Sequence, residues 1–185
     1  MAELPEVTPE YFRILVVREL RKAGFEVGDA GLRRRSELAD PERGFVLELV
    51  VDLRMPGEGR RALVVCLRQN GPVRGEVIEA VRSALVDARA DSGMVFSTAD
   101  FAADALRAGQ HAHIALLRVV DGRSAFDTNT WGPTGHYPAW LPAYLTQVVD
   151  QDGAGRVRYR LLAAGRPELI LERVRPRPDD SHSGG

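Results

Sequence analysis

A chain of 185 residues with 44% hydrophobic and 28% charged residues has the composition of one folded domain with a real core, which excludes a disordered tail or linker. Its formal net charge of −1 gives no global attraction to nucleic acid, so any such affinity must come from a local patch. No apolar run approaches a membrane span, the opening MAELPEVTPE does not read as a signal peptide, and the single cysteine, Cys66, excludes an internal disulfide and suits a reducing cytoplasm.

Residues 8–24 predict a helix, with Thr8 as N-cap, Pro9 at the first helical position and Gly24 at the C-cap. Phe12, Leu15, Val16, Glu19 and Leu20 recur at helical spacing along it. Residues 25–27 read as a short edge strand, followed by a polar stretch through Arg43. Residues 45–54 and 61–68 are rich in β-branched side chains and flank the turn sequence MPGEG, so they predict a hairpin. A helix is expected from Val73 to Ala90, with Val77, Ile78, Val81, Leu85 and Val86 on one face. Residues 93–97 read as a buried strand, 98–109 as a helix carrying Phe101, Ala105 and Leu106, and 114–120 as a strand ended by a turn at Asp121-Gly122.

From Arg123 the texture changes. Residues 126–144 are loop-like and rich in aromatics, 144–150 and 156–163 predict a hairpin around Asp152-Gly153, and 170–174 predict a last strand. The tail 176–185 has a disordered composition. The order of elements predicts an α/β fold: a mixed β-sheet flanked by helices over residues 1–122, then a small C-terminal β extension over 123–175.

The stretch SGMVFSTADFAADALRAGQHAHIALLRVVDG, residues 92–122, resembles the second half of the Mrr-type restriction-endonuclease domain. The features that carry the resemblance are Gly93, Ser97-Thr98, Phe101, Ala105, Ile114, Leu116 and Asp121-Gly122, with a somewhat longer strand before the Asp-Gly pair. Upstream, FRILVVRELRKAGFEV resembles the family's opening helix, VVDLR the strand with the metal-binding aspartate, and ALVVCLR the strand with Gln/Glu-x-Lys. The resemblance spans roughly residues 10–122. It implies a restriction-endonuclease-like fold and Mg²⁺-dependent hydrolysis of a DNA phosphodiester. That chemistry needs acidic oxygens to hold the hard cation, and a lysine to position or deprotonate the attacking water. Side chains two apart on a strand share a face, so an acid on one strand and acid-x-Lys on the next converge on one spot.

Set against that chemistry, the residues fit in part. Asp52 stands where the resemblance puts the first acid, and Glu48, four residues earlier, shares its strand face. The pair is either a metal-binding pair or a solvated strand face. On the next strand Val65 and Leu67 fall at the acid and lysine positions; neither binds a metal or carries a proton, and a shifted register brings in only Cys66, Arg68 or Asn70. Arginine stays protonated and is no base. Lys22 is the only lysine among 25 Lys and Arg residues, and it lies on the first helix. Glu19, on the same helix, is the remaining acid the resemblance offers, and is otherwise an ordinary exposed helix residue. Cys66 reads as a small core hydrophobe, and His111 and His113 lack further ligands at metal spacing.

For DNA, the candidate contacts are Arg54, Arg60, Arg61, Arg68 and Arg74, with Arg33-Arg34-Arg35 nearby. Glu37, Asp40, Glu42 and Glu58 lie in the same segments and offset part of that charge. Trp131, Tyr137 and Trp140 either stack on bases or form a small core under the loop. Three functions are compatible with these residues: a DNA-binding domain with a degenerate catalytic motif, an active Mg²⁺-dependent endonuclease of a defence system, or a structural or protein-interaction domain without DNA. A homodimer is compatible with each.

Overall fold

The computed structural model describes residues 7–37 and 44–175; the tail expected to be disordered, 176–185, lies outside the described residues. The first helix, α1 (Pro9–Ala23), has the ends its sequence prescribes. The Thr8 side chain accepts the Tyr11 N–H at 3.2 Å, and Gly24 closes the helix in the left-handed region at φ 112°.

Among the described residues seven strands form one sheet in the order β1-β2-β3-β4-β5-β6-β7, which is also their order in the chain. They are β1 (Glu26–Glu37), β2 (Phe45–Met55), β3 (Glu58–Arg68), β4 (Ser92–Ser97), β5 (Ile114–Asp121), β6 (Tyr144–Gln151) and β7 (Val157–Leu161). Neighbours β3-β4-β5 run parallel, and the pairs on either side are antiparallel. The mixed sheet flanked by helices is therefore as expected. Its first strand is not: β1 is a strand of 12 residues where three were expected. It is an edge strand with only Val27 buried, so its sequence never needed the apolar alternation that reveals a strand.

Parallel neighbours need crossovers, and α2 (Gly75–Ala88) and α3 (Ala103–Ala112) supply them. Two right-handed crossovers stepping in the same direction put both helices on one face. There Ile78, Val81, Ala105 and Leu106 pack on Leu63, Val65, Leu67, Val95, Ile114 and Leu116. Both helices start later than expected, because Val73 and Phe101 form a parallel bridge that holds the chain extended before each of them. Of the apolar face read for α2, Val86 is exposed. On the other face, α1 and α5 (Glu168–Val174) cover Leu47, Leu49, Val51, Val64, Cys66, Phe96 and Leu117. Residues 170–174 are helical, not a strand; apolar runs this short do not distinguish the two.

Asp121-Gly122 is not a simple turn but the start of α4 (Gly122–Thr128), with Asp121 Oδ1 accepting the Ser124 N–H at 2.9 Å. Gly122 donates its N–H to the Ala143 carbonyl at 2.8 Å, and a Cβ there would lie 1.9 Å from the Pro142 carbonyl oxygen. Gly122→Ala is therefore expected to cost about 3 kcal/mol in a urea unfolding curve, since backbone must move to admit a methyl group. Phe126 of α4 is buried and meets Trp131 and Tyr137 edge-on, so the aromatic segment packs on the fold through that one ring, while Trp131 and Trp140 are both exposed.

Beyond its ladder with β6, the last strand reaches the segment before α3 through Tyr159, whose hydroxyl donates to Asp100 Oδ2 at 2.7 Å. Burial, and then that carboxylate, push the Tyr159 hydroxyl from 10.0 up to about 12. A raised phenol favours the fold in its neutral form. The contribution is complete below the unfolded value and is lost as pH rises through the folded one. Asp100→Asn should move the Tyr159 midpoint back toward 10, read as phenolate absorbance against a Tyr159→Phe reference.

Candidate functional site

The β2–β3 hairpin carries the residues whose chemistry matters, and its turn fixes which of them meet. Pro56 followed by Gly57 at φ 78° closes it with Met55 opposite Glu58. Counting back, Asp52 faces Arg61, Glu48 faces Val65 and Val46 faces Leu67. On β2 the residues Leu47, Leu49, Val51 and Leu53 point into the α1 core, so Glu48 and Asp52 share the opposite face, the one α2 and α3 cover.

Glu48 is thus the carboxylate opposite Val65, beside the positions where the resemblance puts acid-x-Lys. Asp52 lies four residues along, about 14 Å away, too far for the two side chains to grip one small cation. Glu48 is also occupied: its Oε2 pairs with the Arg33 guanidinium of β1, and its side chain is 14% exposed. Val65 and Leu67 are 3% and 2% exposed, sealed among Val73, Ile78 and Phe101. Magnesium requires oxygen ligands about 2.1 Å from a single point. Among the described residues no group of three or more His, Cys, Asp or Glu side chains is arranged to hold a metal. The residues present do not fit the ion that the resemblance implies.

Glu19 lies elsewhere. It sits on α1, on the other side of the sheet from Glu48 and Asp52, buried at 3% exposure. There it is tied to Lys22 at 3.6 Å and Arg18 at 3.9 Å. The only lysine of the chain is thereby spent on a helix ion pair. Cys66 is fully buried, and burial pushes its thiol up, which removes its nucleophilicity. His111 lies in the last turn of α3, and His113 caps it at φ 56°.

Asp52 faces open space. It helps line a cleft of about 530 Å³ together with Asp29, Asp87, Arg33, Arg61 and Arg89, three carboxylates against three guanidiniums. Of the five candidate DNA contacts, Arg54, Arg60 and Arg61 gather at the turn end of the hairpin. Arg60 is held by Glu58 at 2.6 Å and Ser92 at 3.0 Å, whereas Arg54 and Arg61 are exposed. Arg68 ends β3, seven residues or about 24 Å from Arg61, and Arg74 precedes α2. The five therefore form two groups at opposite ends of the sheet. Arg33, which the sequence offered only as a nearby positive charge for DNA, belongs to neither group, and its pairing with Glu48 is what sequence reading missed. Its signal lay in the hairpin turn, because a two-residue loop at Pro56-Gly57 sets Glu48 against Val65 and leaves that acid in need of a counter-charge from β1.

No helix of the described chain is long and apolar enough to cross a membrane. Neither the curated proteins nor the solved structures yielded a match to this chain. Residues 4–123 match the Mrr_cat family model, described as restriction endonuclease. That span takes in α1, the hairpin, both crossovers and β5, and with a mixed sheet flanked by helices behind it, the chain belongs to the Mrr restriction-endonuclease family.

Proposed function

We propose that this chain is a catalytically degenerate restriction-endonuclease domain, residues 1–122 with the extension 123–175, that binds DNA without cutting it. The observation that carries the reading is the sealed apolar pair at the acid-x-Lys positions, Val65 and Leu67, beside a Glu48 already paired with Arg33. A water there has no lysine beside it to position or deprotonate it, and the neighbouring side chains offer no ligand set for a cation that would polarise the phosphate. Support for DNA comes from family membership and from the exposed guanidiniums Arg54, Arg61 and Arg74. Within the cell such a domain belongs to the cytoplasm and suits the targeting half of a defence system.

The test is plasmid incubated with Mg²⁺ or Mn²⁺ and with EDTA, beside an Asp52→Ala control, with a mobility-shift titration at several salt concentrations. Expected are intact plasmid and a shift that weakens with salt. Metal-dependent nicking that Asp52→Ala abolishes would overturn the reading in favour of an active Mg²⁺ nuclease built on the Asp52 cleft. Absence of both cleavage and shift would leave a protein-interaction domain. The two arginine groups are separable: Arg54→Ala/Arg61→Ala and Arg68→Ala/Arg74→Ala should differ, the pair that touches phosphate lowering the salt slope by about two.

A further inference from the structure

We infer that the outer edge of β7 accepts an added β-strand from a partner protein whose sequence alternates apolar and acidic residues. The two edges of this sheet are built differently. On β1, two register shifts, between Val27 and Ala30 and between Leu32 and Arg34, break the regular pairing, and Arg33, Arg34 and Arg35 line the strand. Bulges and charges are how sheets discourage edge-to-edge pairing. On β7 there is no register break, and its two arginines are turned to a carboxylate of the neighbouring strand. Its five residues pair with β6 in unbroken register, from Gln151–Val157 to Gln147–Leu161.

The hydrogen-bond phase shows what β7 offers. The Leu162 N–H bonds the Thr146 carbonyl at 2.8 Å, and the Asp152 N–H bonds the Arg156 carbonyl at 2.9 Å. Antiparallel ladders alternate, so Arg158 and Arg160 turn their backbone groups inward to β6, whereas Val157, Tyr159 and Leu161 turn theirs outward. These same three residues expose apolar side chains, at 42%, 43% and 42%. Among the described residues no strand pairs with these outward groups, so an incoming strand finds backbone donors and acceptors and, on one face, an apolar row.

The opposite face sets the charge of the occupant. Arg158 and Arg160, which would otherwise guard the edge, are drawn onto Asp150, joined there by Arg173 from α5 at 2.9 Å. One carboxylate against three guanidiniums leaves the cluster positive, even with Glu172 beside Arg173. A second copy is disfavoured for that reason. Antiparallel self-pairing about Tyr159 would set Arg158 of one copy against Arg160 of the other and bring two positive clusters together. A strand with acids opposite Arg158 and Arg160, and apolar residues opposite Val157, Tyr159 and Leu161, satisfies both faces. This mode of recognition takes its affinity from the main chain and its specificity from alternate side chains.

The experiment is a fluorescence-anisotropy titration of the full chain with a labelled synthetic peptide, Val-Glu-Val-Asp-Val-Glu-Val. A control peptide has lysine at every acidic position. Saturable binding of the acidic peptide is expected, at least tenfold weaker for the lysine peptide. It should be at least tenfold weaker again for Val157→Pro, which removes an outward donor and leaves the β6 ladder intact. Should Val157→Pro not fold by circular dichroism, Leu161→Lys places a cation in the apolar row and serves the same purpose. Hydrogen exchange adds an independent reading: the amides of Val157, Tyr159 and Leu161 should become protected only in the complex. Equal binding of both peptides, binding untouched by the substitutions, or no binding would overturn the proposal. So would a dimer in sedimentation that Val157→Pro dissolves, which would give the edge to a second copy. None of these outcomes depends on whether the chain binds or cuts DNA.

Discussion

Replacing Asp150 by asparagine is expected to lower the stability of the fold by about 3 kcal/mol, read as the shift of the urea midpoint at unchanged slope. Asp150 is 7% exposed and receives Arg158 through both oxygens at 3.0 Å, Arg160 at 3.2 Å and Arg173 at 2.9 Å. Removing one member of a buried ion group strands the others, at a cost of about 3–5 kcal/mol. The lower end applies because Arg158 is nearly half exposed and water replaces part of what it loses. Arg173 is the member with most to lose: burial already pulls its guanidinium down from its ordinary range. The double variant Asp150→Asn/Arg173→Met should accordingly be more stable than Asp150→Asn alone, a coupling that a double-mutant cycle isolates. If the two losses simply add, the carboxylate is not what holds Arg173 in place.

Leu67→Lys is expected to destabilise by about 4 kcal/mol and to confer no nuclease activity. The substitution restores the lysine of the family's motif on paper. In the fold it pushes an ammonium group into the apolar cluster of Val73, Ile78 and Phe101, where Leu67 is 2% exposed. Val65 remains apolar and Glu48 remains with Arg33, so a lysine alone gains neither a metal nor a partner acid. Thermal melting and a plasmid assay with Mg²⁺ read the two halves of this expectation. Near-normal stability would mean that α2 does not seal the position, and the degenerate reading would lose its structural support.

The parts of this fold that were legible in the sequence are those where a local rule acts without competition. Thr8, Pro9 and Gly24 bound α1 because caps and left-handed termini are decided within one turn of chain. The buried strands β2 to β5 announced themselves through β-branched and apolar runs. β1 stayed hidden because an edge strand carrying Arg33, Arg34 and Arg35 has no face pattern to show. α5 was misread since its few apolar residues suit either period, and packing over β4 and β5 decides between them. For the site, the absence of an acid and a lysine at Val65 and Leu67 was legible, because residue type alone shows it. Which acid stands beside them depends on register, a property of two strands at once. The family pattern pointed first to Asp52, whereas the Pro56-Gly57 closure places Glu48 there.

That strands follow one another across the sheet in the order in which they occur in the chain has a consequence for synthesis. Each strand as it leaves the ribosome finds its neighbour already in place, and no later segment has to be threaded between two that are paired. Growth of the sheet is accretion at one moving border. At every length of nascent chain that border presents open backbone, and α2 and α3 cover only one face behind it as it advances. In the finished protein β7 is the place where the border came to rest.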